Sequence, residues 1–230
     1  MDGQKLRIAE VFSSIQGEGI WSGVPSTFVR VSGCNLRCVW CDTPYASCTP
    51  EGDFWEVSDL VVNVNGFGNL HVVVTGGEPM LFDSTEELCE NVAGKVTIET
   101  AGTVFRSLRC DLMSISPKLA NSTPPEESGW RQRHEKTRLN VPVLSQLIET
   151  YNHQLKFVVG DSLTEDVRQI QALLAQLPKV DADRILLMPE GTDSVTLHRR
   201  MTPLVPVCLE HGWRLSPRLH VDLFGNKRGT

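Results

Sequence analysis

Short runs of Val, Ile, Leu and Phe recur along the chain, separated by longer stretches in which apolar residues return every three or four positions. The runs at Leu6 to Phe12, Thr27 to Val31, His71 to Thr75, Lys95 to Thr100, Leu112 to Ser116, Gln154 to Val159, Arg184 to Met188 and Trp213 to Leu215 read as strands. Most are apolar enough to predict burial on both faces. The helical spacing predicts helices over Ser84 to Val92, Val143 to Tyr151, Thr164 to Leu177 and Ser194 to His211. Alternation of this kind gives an α/β fold, a parallel sheet with crossover helices. Between Ala120 and Thr137 the pattern lapses into Pro, Gly and mixed charges; this stretch reads as a solvated loop, with a lid as the alternative.

The strands run into small polar motifs: Gly33-Cys34, Thr75-Gly76-Gly77-Glu78-Pro79, Glu99-Thr100-Ala101-Gly102-Thr103, Ser116-Pro117-Lys118 and Met188-Pro189-Glu190-Gly191. Ligand sites of parallel α/β sheets and barrels gather at the carboxyl ends of strands, so these motifs are expected to face one cavity.

Composition narrows the class. The 230 residues suffice for one sizeable core, which predicts a single domain, residues 1–230. A net charge of -6, from 22 basic and 28 acidic side chains, argues against a protein that works on the phosphate backbone of nucleic acid. No apolar run is long enough to cross a bilayer, and Met1-Asp2-Gly3-Gln4-Lys5 lacks the apolar core of a signal peptide, so a cytoplasmic location is expected. Seven cysteines, three of them bunched, suit a metal or redox site in a reducing compartment better than a disulfide framework. Cys89, Cys110 and Cys208 read as small buried hydrophobes.

The bunched cysteines, Cys34, Cys38 and Cys41, form C-x3-C-x2-C and can converge on one metal centre from a single loop. Three thiolates on a [4Fe-4S] cube leave one iron open to bind and activate a ligand. Cys48 offers a rival reading, a four-cysteine structural zinc site in a non-catalytic binding module, although such sites usually pair two short knuckles across a longer spacer. The glycines of Thr75-Gly76-Gly77-Glu78-Pro79 allow backbone to lie against a ligand, and Glu78 suits a cationic amine; a plain turn explains the same residues. Arg30 is placed to pair with a substrate carboxylate or in a surface salt bridge. Gln16, with the backbone around Ile15 and Gly17, offers donors and acceptors to the polar edge of a ligand, and an ordinary glycine-rich turn explains the same residues.

The cysteine motif followed by Gly-Gly-Glu-Pro resembles the radical S-adenosylmethionine (SAM) superfamily. Further matches are Glu10-Val11-Phe12-Ser13-Ser14-Ile15-Gln16-Gly17-Glu18-Gly19, Cys41-Asp42-Thr43, Leu155-Lys156-Phe157-Val158-Val159 and Arg218-Leu219-His220-Val221-Asp222-Leu223-Phe224-Gly225-Asn226-Lys227-Arg228-Gly229. Over nearly the whole chain they are similar to the 7-carboxy-7-deazaguanine synthase family of the queuosine pathway. Glycyl-radical activating enzymes share the cysteine motif but not these opening and closing segments. The resemblance implies an incomplete TIM-like barrel and a carbon–nitrogen lyase that contracts the ring of 6-carboxy-5,6,7,8-tetrahydropterin with loss of ammonia. It implies three cofactors: a [4Fe-4S] cluster on Cys34, Cys38 and Cys41, SAM, and Mg2+ at Thr43. It places SAM near Trp40, Asp42, Gly77, Glu78, Ser116, Pro117, Lys118, Met188 and Pro189, and substrate near Ile15, Gln16, Gly17, Glu18, Arg30 and Thr75. No catalytic residue beyond the cluster and SAM is implied. A flavodoxin-like or ferredoxin-like electron donor and a homodimer are expected. Ser58 to Gly68, where the family has a helix, is rich in Val and Gly and does not read as one.

Overall fold

The computed structural model describes residues 4–230; Met1 to Gly3, part of the amino-terminal reading above, lie outside the described residues. Its strands are β1 (Lys5–Ile15), β2 (Pro25–Val31), β3 (Asp53–Glu56), β4 (His71–Gly76), β5 (Lys95–Thr100), β6 (Leu112–Ile115), β7 (His153–Val159), β8 (Ile185–Pro189) and β9 (Arg214–Leu215). They form one sheet in the order β3-β1-β2-β4-β5-β6-β7-β8-β9. From β2 onward neighbours run parallel, with Arg30 beside Thr75, Thr97 beside Leu112 and Phe157 beside Leu187. The expected parallel sheet carries one antiparallel edge, where β1 pairs antiparallel with both β2 and β3. The chain between β1 and β2 is too short for a crossover and closes a hairpin instead.

The helices are α1 (Val57–Gly66), α2 (Ser84–Asn91), α3 (Arg131–Thr137), α4 (Val141–Thr150), α5 (Leu163–Leu174), α6 (Ser194–Met201), α7 (Leu204–His211) and α8 (Leu219–Phe224). Three depart from the sequence reading. α1 forms despite its β-branched residues, because Val57, Leu60 and Val64 share one face and are buried against the sheet. The single helix expected over Ser194 to His211 is two, broken at Thr202-Pro203, since proline lacks the amide to bond back and its ring clashes with the preceding turn. The polar stretch from Ala120 to Thr137 is not a bare loop but two single-turn 3-10 helices followed by α3.

Strands β2 and β4 to β8 are buried on both faces, but the faces differ. Val29, Val31, Val72, Val74, Val96, Ile98, Met113, Ile115, Leu155, Phe157, Val159 and Leu187 pack into one core with Leu60, Leu88, Leu144, Leu147, Ile170 and Leu173 of the helices. The intervening positions carry Arg30, Thr75, Glu99, Ser114 and Lys156, which line a cavity on the opposite face. A period of two thus separates the apolar helix-facing side from a polar inner side.

The sheet also curls. β1 lies near one edge and β9 at the other, yet the loop after β1 bonds to residues that follow β9: Gly19 N donates to Ser216 Oγ at 2.9 Å and Leu219 N to Gly17 O at 2.9 Å. β3 and β9 remain unpaired with one another, so the barrel is partial. At its base, buried His71 links Ser26 Oγ at 2.6 Å to Thr97 Oγ1 at 2.8 Å, with the Trp21 ring edge-on to it.

Candidate active site

The cysteine loop leaves β2 at Val31 and is held where β4 ends. Gly33 N donates to Ala46 O at 2.8 Å, Glu78 N to Gly33 O at 2.9 Å and Gly77 N to Val31 O at 3.0 Å. A Cβ on Gly77 would stand 2.0 Å from Gly33 O, and one on Gly76, whose φ is +117°, 2.2 Å from Val31 O. The glycine pair is therefore required by the close approach of the cysteine loop, a reason the sequence did not reveal. Glu78 does not line the cavity. Its carboxylate is fully buried, accepting from Thr100 Oγ1 at 2.7 Å, Ala101 N at 2.8 Å and Met80 N at 3.1 Å, and burial raises its pKa.

Cys34, Cys38 and Cys41 line one cavity of about 450 Å3, whereas Cys48 is exposed and lies off it. That arrangement matches three thiolate ligands and not a four-cysteine zinc site. Burial pushes the Cys34 thiol up to about 12 and the Cys38 thiol up to about 11, so thiolates here require a cationic partner, which an iron–sulfur centre provides. The sulfurs share the cavity wall without converging on a point: among the described residues no three His, Cys, Asp or Glu side chains form a closed metal cage.

Away from the thiols the cavity is charged. Arg30 Nε donates to Glu10 Oε1 at 2.6 Å, and Tyr45 Oη donates to the same oxygen at 2.5 Å. The two amino nitrogens of Arg30 have no partner among the described residues. Glu18 pairs with Lys156 and, at 3.0 Å, with Arg218 Nε; Arg218 also pairs with Asp42 and donates to Gly191 O at 2.5 Å. Burial alone would raise the Glu18 carboxyl, but Lys156 and Arg218 hold it well below the usual carboxylate range. Glu99 accepts from Thr75 Oγ1 at 2.7 Å and from Gln16 Nε2 at 3.3 Å. Gly17 lies against His220, where a Cβ would meet Nδ1 at 2.0 Å.

Ile15, Gln16, Gly17, Glu18, Arg30, Trp40, Asp42, Thr43, Thr75, Gly77, Ser116, Lys118 and Met188 thus come together on this cavity. Glu78, Pro117 and Pro189 do not line it and lie buried behind it. Lys156, Glu99, Arg218, His220 and Tyr45 line it without having been singled out as site residues. Lys156 carried a signal, a lone cation within the apolar run Leu155 to Val159.

No family model matches the chain. The 7-carboxy-7-deazaguanine synthase of Halobacterium salinarum is 41% identical to it over 244 residues, covering 100% of this chain and 94% of that protein. The chain belongs to the 7-carboxy-7-deazaguanine synthase family. The synthase of Rhodopirellula baltica is 42% identical over 231 residues, covering 98% of this chain and 89% of its own. The crystal structure of QueE from Escherichia coli matches with a TM-score of 0.67 and 26% identity, over 94% of this chain and 95% of that one. The Streptococcus suis protein SuiB, solved with its precursor peptide SuiA, shares the fold at a TM-score of 0.52 and 14% identity. Membership in the synthase family makes this chain a radical SAM lyase whose cofactors are a [4Fe-4S] cluster and SAM. It also sets aside the zinc-module and glycyl-radical-activase readings. No helix among the described residues is long and apolar enough to cross a membrane.

Proposed function

We propose that the cavity takes 6-carboxy-5,6,7,8-tetrahydropterin and releases 7-carboxy-7-deazaguanine and ammonia. The observation that carries this assignment is Arg30: its amino nitrogens are unpaired in the same cavity as the three cysteines, while Glu10 fixes the guanidinium through Nε. A planar fork with two free donors suits a carboxylate. Gln16, Glu18 and Glu99 supply acceptors for the N–H groups of a pterin edge, and the ion pairs of Glu18 keep it ionised for that purpose. The Thr43 hydroxyl makes no hydrogen bond among the described residues, which suits a Mg2+ ion that keeps most of its waters.

Cys34, Cys38 and Cys41 would hold the cluster, which when bound supplies the electron that cleaves SAM. Trp40, Asp42, Gly77, Ser116, Lys118 and Met188 form the wall assigned to SAM, with Glu78, Pro117 and Pro189 supporting it from behind. Lys118 Nζ donates to Ser116 Oγ at 2.8 Å and lies over the Trp40 ring, so these three groups are ordered as a set. The protein is assigned one domain over residues 1–230, a cytoplasmic homodimer reduced by a flavodoxin-like or ferredoxin-like donor.

The test is anaerobic turnover of the carboxylated pterin by wild type and Arg30→Ala. The variant is expected to keep its iron and its SAM affinity and to bind the pterin about 2–3 kcal/mol more weakly, as loss of a charge-assisted bidentate contact requires. Unchanged pterin affinity in a folded variant would place the carboxylate elsewhere.

A further inference from the structure

The cysteine loop is braced from outside the cavity by the polar stretch that the sequence left without a role. Val39 N donates to Ser122 O at 2.9 Å, and Arg37 N donates to His134 Nδ1 at 3.2 Å. These amides flank Cys38 on either side. His134 and Ser122 are both fully buried. His134 Nε2 lies 3.0 Å from Ser122 Oγ, and Ser122 Oγ lies 2.6 Å from Leu119 O.

The donors order this chain in one direction. A backbone amide can only donate, so His134 Nδ1 must be the unprotonated nitrogen and Nε2 must carry the hydrogen. Nε2–H then donates to Ser122 Oγ, whose own proton goes to the Leu119 carbonyl. One neutral tautomer satisfies every group, and the other would set two N–H groups against each other. α3 and the 3-10 turn at Ala120–Ser122 thereby fix the path of the loop around its central cysteine.

We propose that His134 is a positioning residue for the cluster loop: through its neutral Nδ1 it holds the Arg37 amide, so that Cys38 is presented before any cluster is bound. The proposal rests on the assignment of Cys34, Cys38 and Cys41 as cluster ligands. Partners that orient metal ligands typically contribute ten- to a hundredfold to metal retention. A loop held by its own amides also pays less ordering entropy on binding than a loose one.

The experiment compares iron release to a chelator from anaerobically loaded wild type, His134→Phe, His134→Asn and His134→Gln, alongside amide hydrogen exchange of the iron-free proteins. An Asn amide oxygen stands near the position of Nδ1 and can accept from Arg37, whereas a Gln amide stands near Nε2 and reaches only Ser122. His134→Phe and His134→Gln should release iron about ten- to a hundredfold faster than wild type, and His134→Asn should remain within about threefold. The Arg37 amide should exchange slowly in iron-free wild type and His134→Asn and rapidly in His134→Gln. Equal iron release from the Asn and Gln variants would show that His134 only fills space, and this comparison stands even if the Phe variant does not fold. Wild type that binds no iron would overturn the cluster assignment instead. The brace would then be judged by exchange alone, and rapid exchange at Arg37 in wild type would refute it.

Discussion

Glu18 is shared between Lys156 and Arg218, and the three side chains are 12%, 6% and 7% exposed. Removing the carboxylate leaves Lys156 with only Glu99, 3.8 Å away, and Arg218 with only Asp42 as counter-charges in a poorly solvated wall. Glu18→Gln should therefore cost about 3–5 kcal/mol of stability, and adding Lys156→Met should restore part of it. The sign with pH follows from the lowered carboxyl. Its folded-state value lies below the ordinary 4.5, so its contribution is complete above that value and is lost as pH falls through the acid range beneath it. Urea unfolding at several acid pH values should show this loss in wild type and a flatter curve in Glu18→Gln; parallel curves would remove the ion pairs from the stability of the site. The members of this cluster were legible in the sequence but their pairing was not. Glu18, Lys156 and Arg218 all stood in matched segments, yet Lys156 and Arg218 lie 138 and 200 residues from Glu18, and a cation in a strand gives no indication of the carboxylate it will meet.

At the scale of elements, spacing revealed most strands and the α/β alternation, and it failed where tertiary packing decided the outcome. β3 is a four-residue edge strand with acidic ends, and it exists because β1 offers it a ladder. α1 is helical because one stripe of it is buried, against a local preference for strand. The brace from Leu119 to Arg138 was invisible because its contacts with the cysteine loop join polar groups, which leave no periodic trace. The glycine pair after β4 yields the sharpest element-level test. Gly77→Ala would drive a methyl group into Gly33 O, so the protein should fold, since the apolar core is untouched, but fail to retain iron. Normal iron content in that variant would mean that the cysteine loop tolerates displacement from β4.

For the whole molecule, the curled sheet predicts an order of opening. β4, β5, β6 and β7 are paired on both sides and covered by helices, while β3 and β9 are short and bounded by solvent. Amide exchange in the iron-free protein should be slowest in the four inner strands and fastest at β3 and β9; protection of β9 equal to that of β5 would imply a closed barrel or a partner on that edge. The alternation along those inner strands has a further consequence for how such a protein can change over generations. Neighbouring letters of one strand answer to different selective demands, one set to folding and the alternate set to chemistry. A substitution on the cavity side can recast specificity while the scaffold keeps its stability, which leaves the lineage room to explore new reactions. The loss of a single codon within a strand has no such latitude, because it exchanges the two sets and turns charges toward the helices and valines toward the substrate.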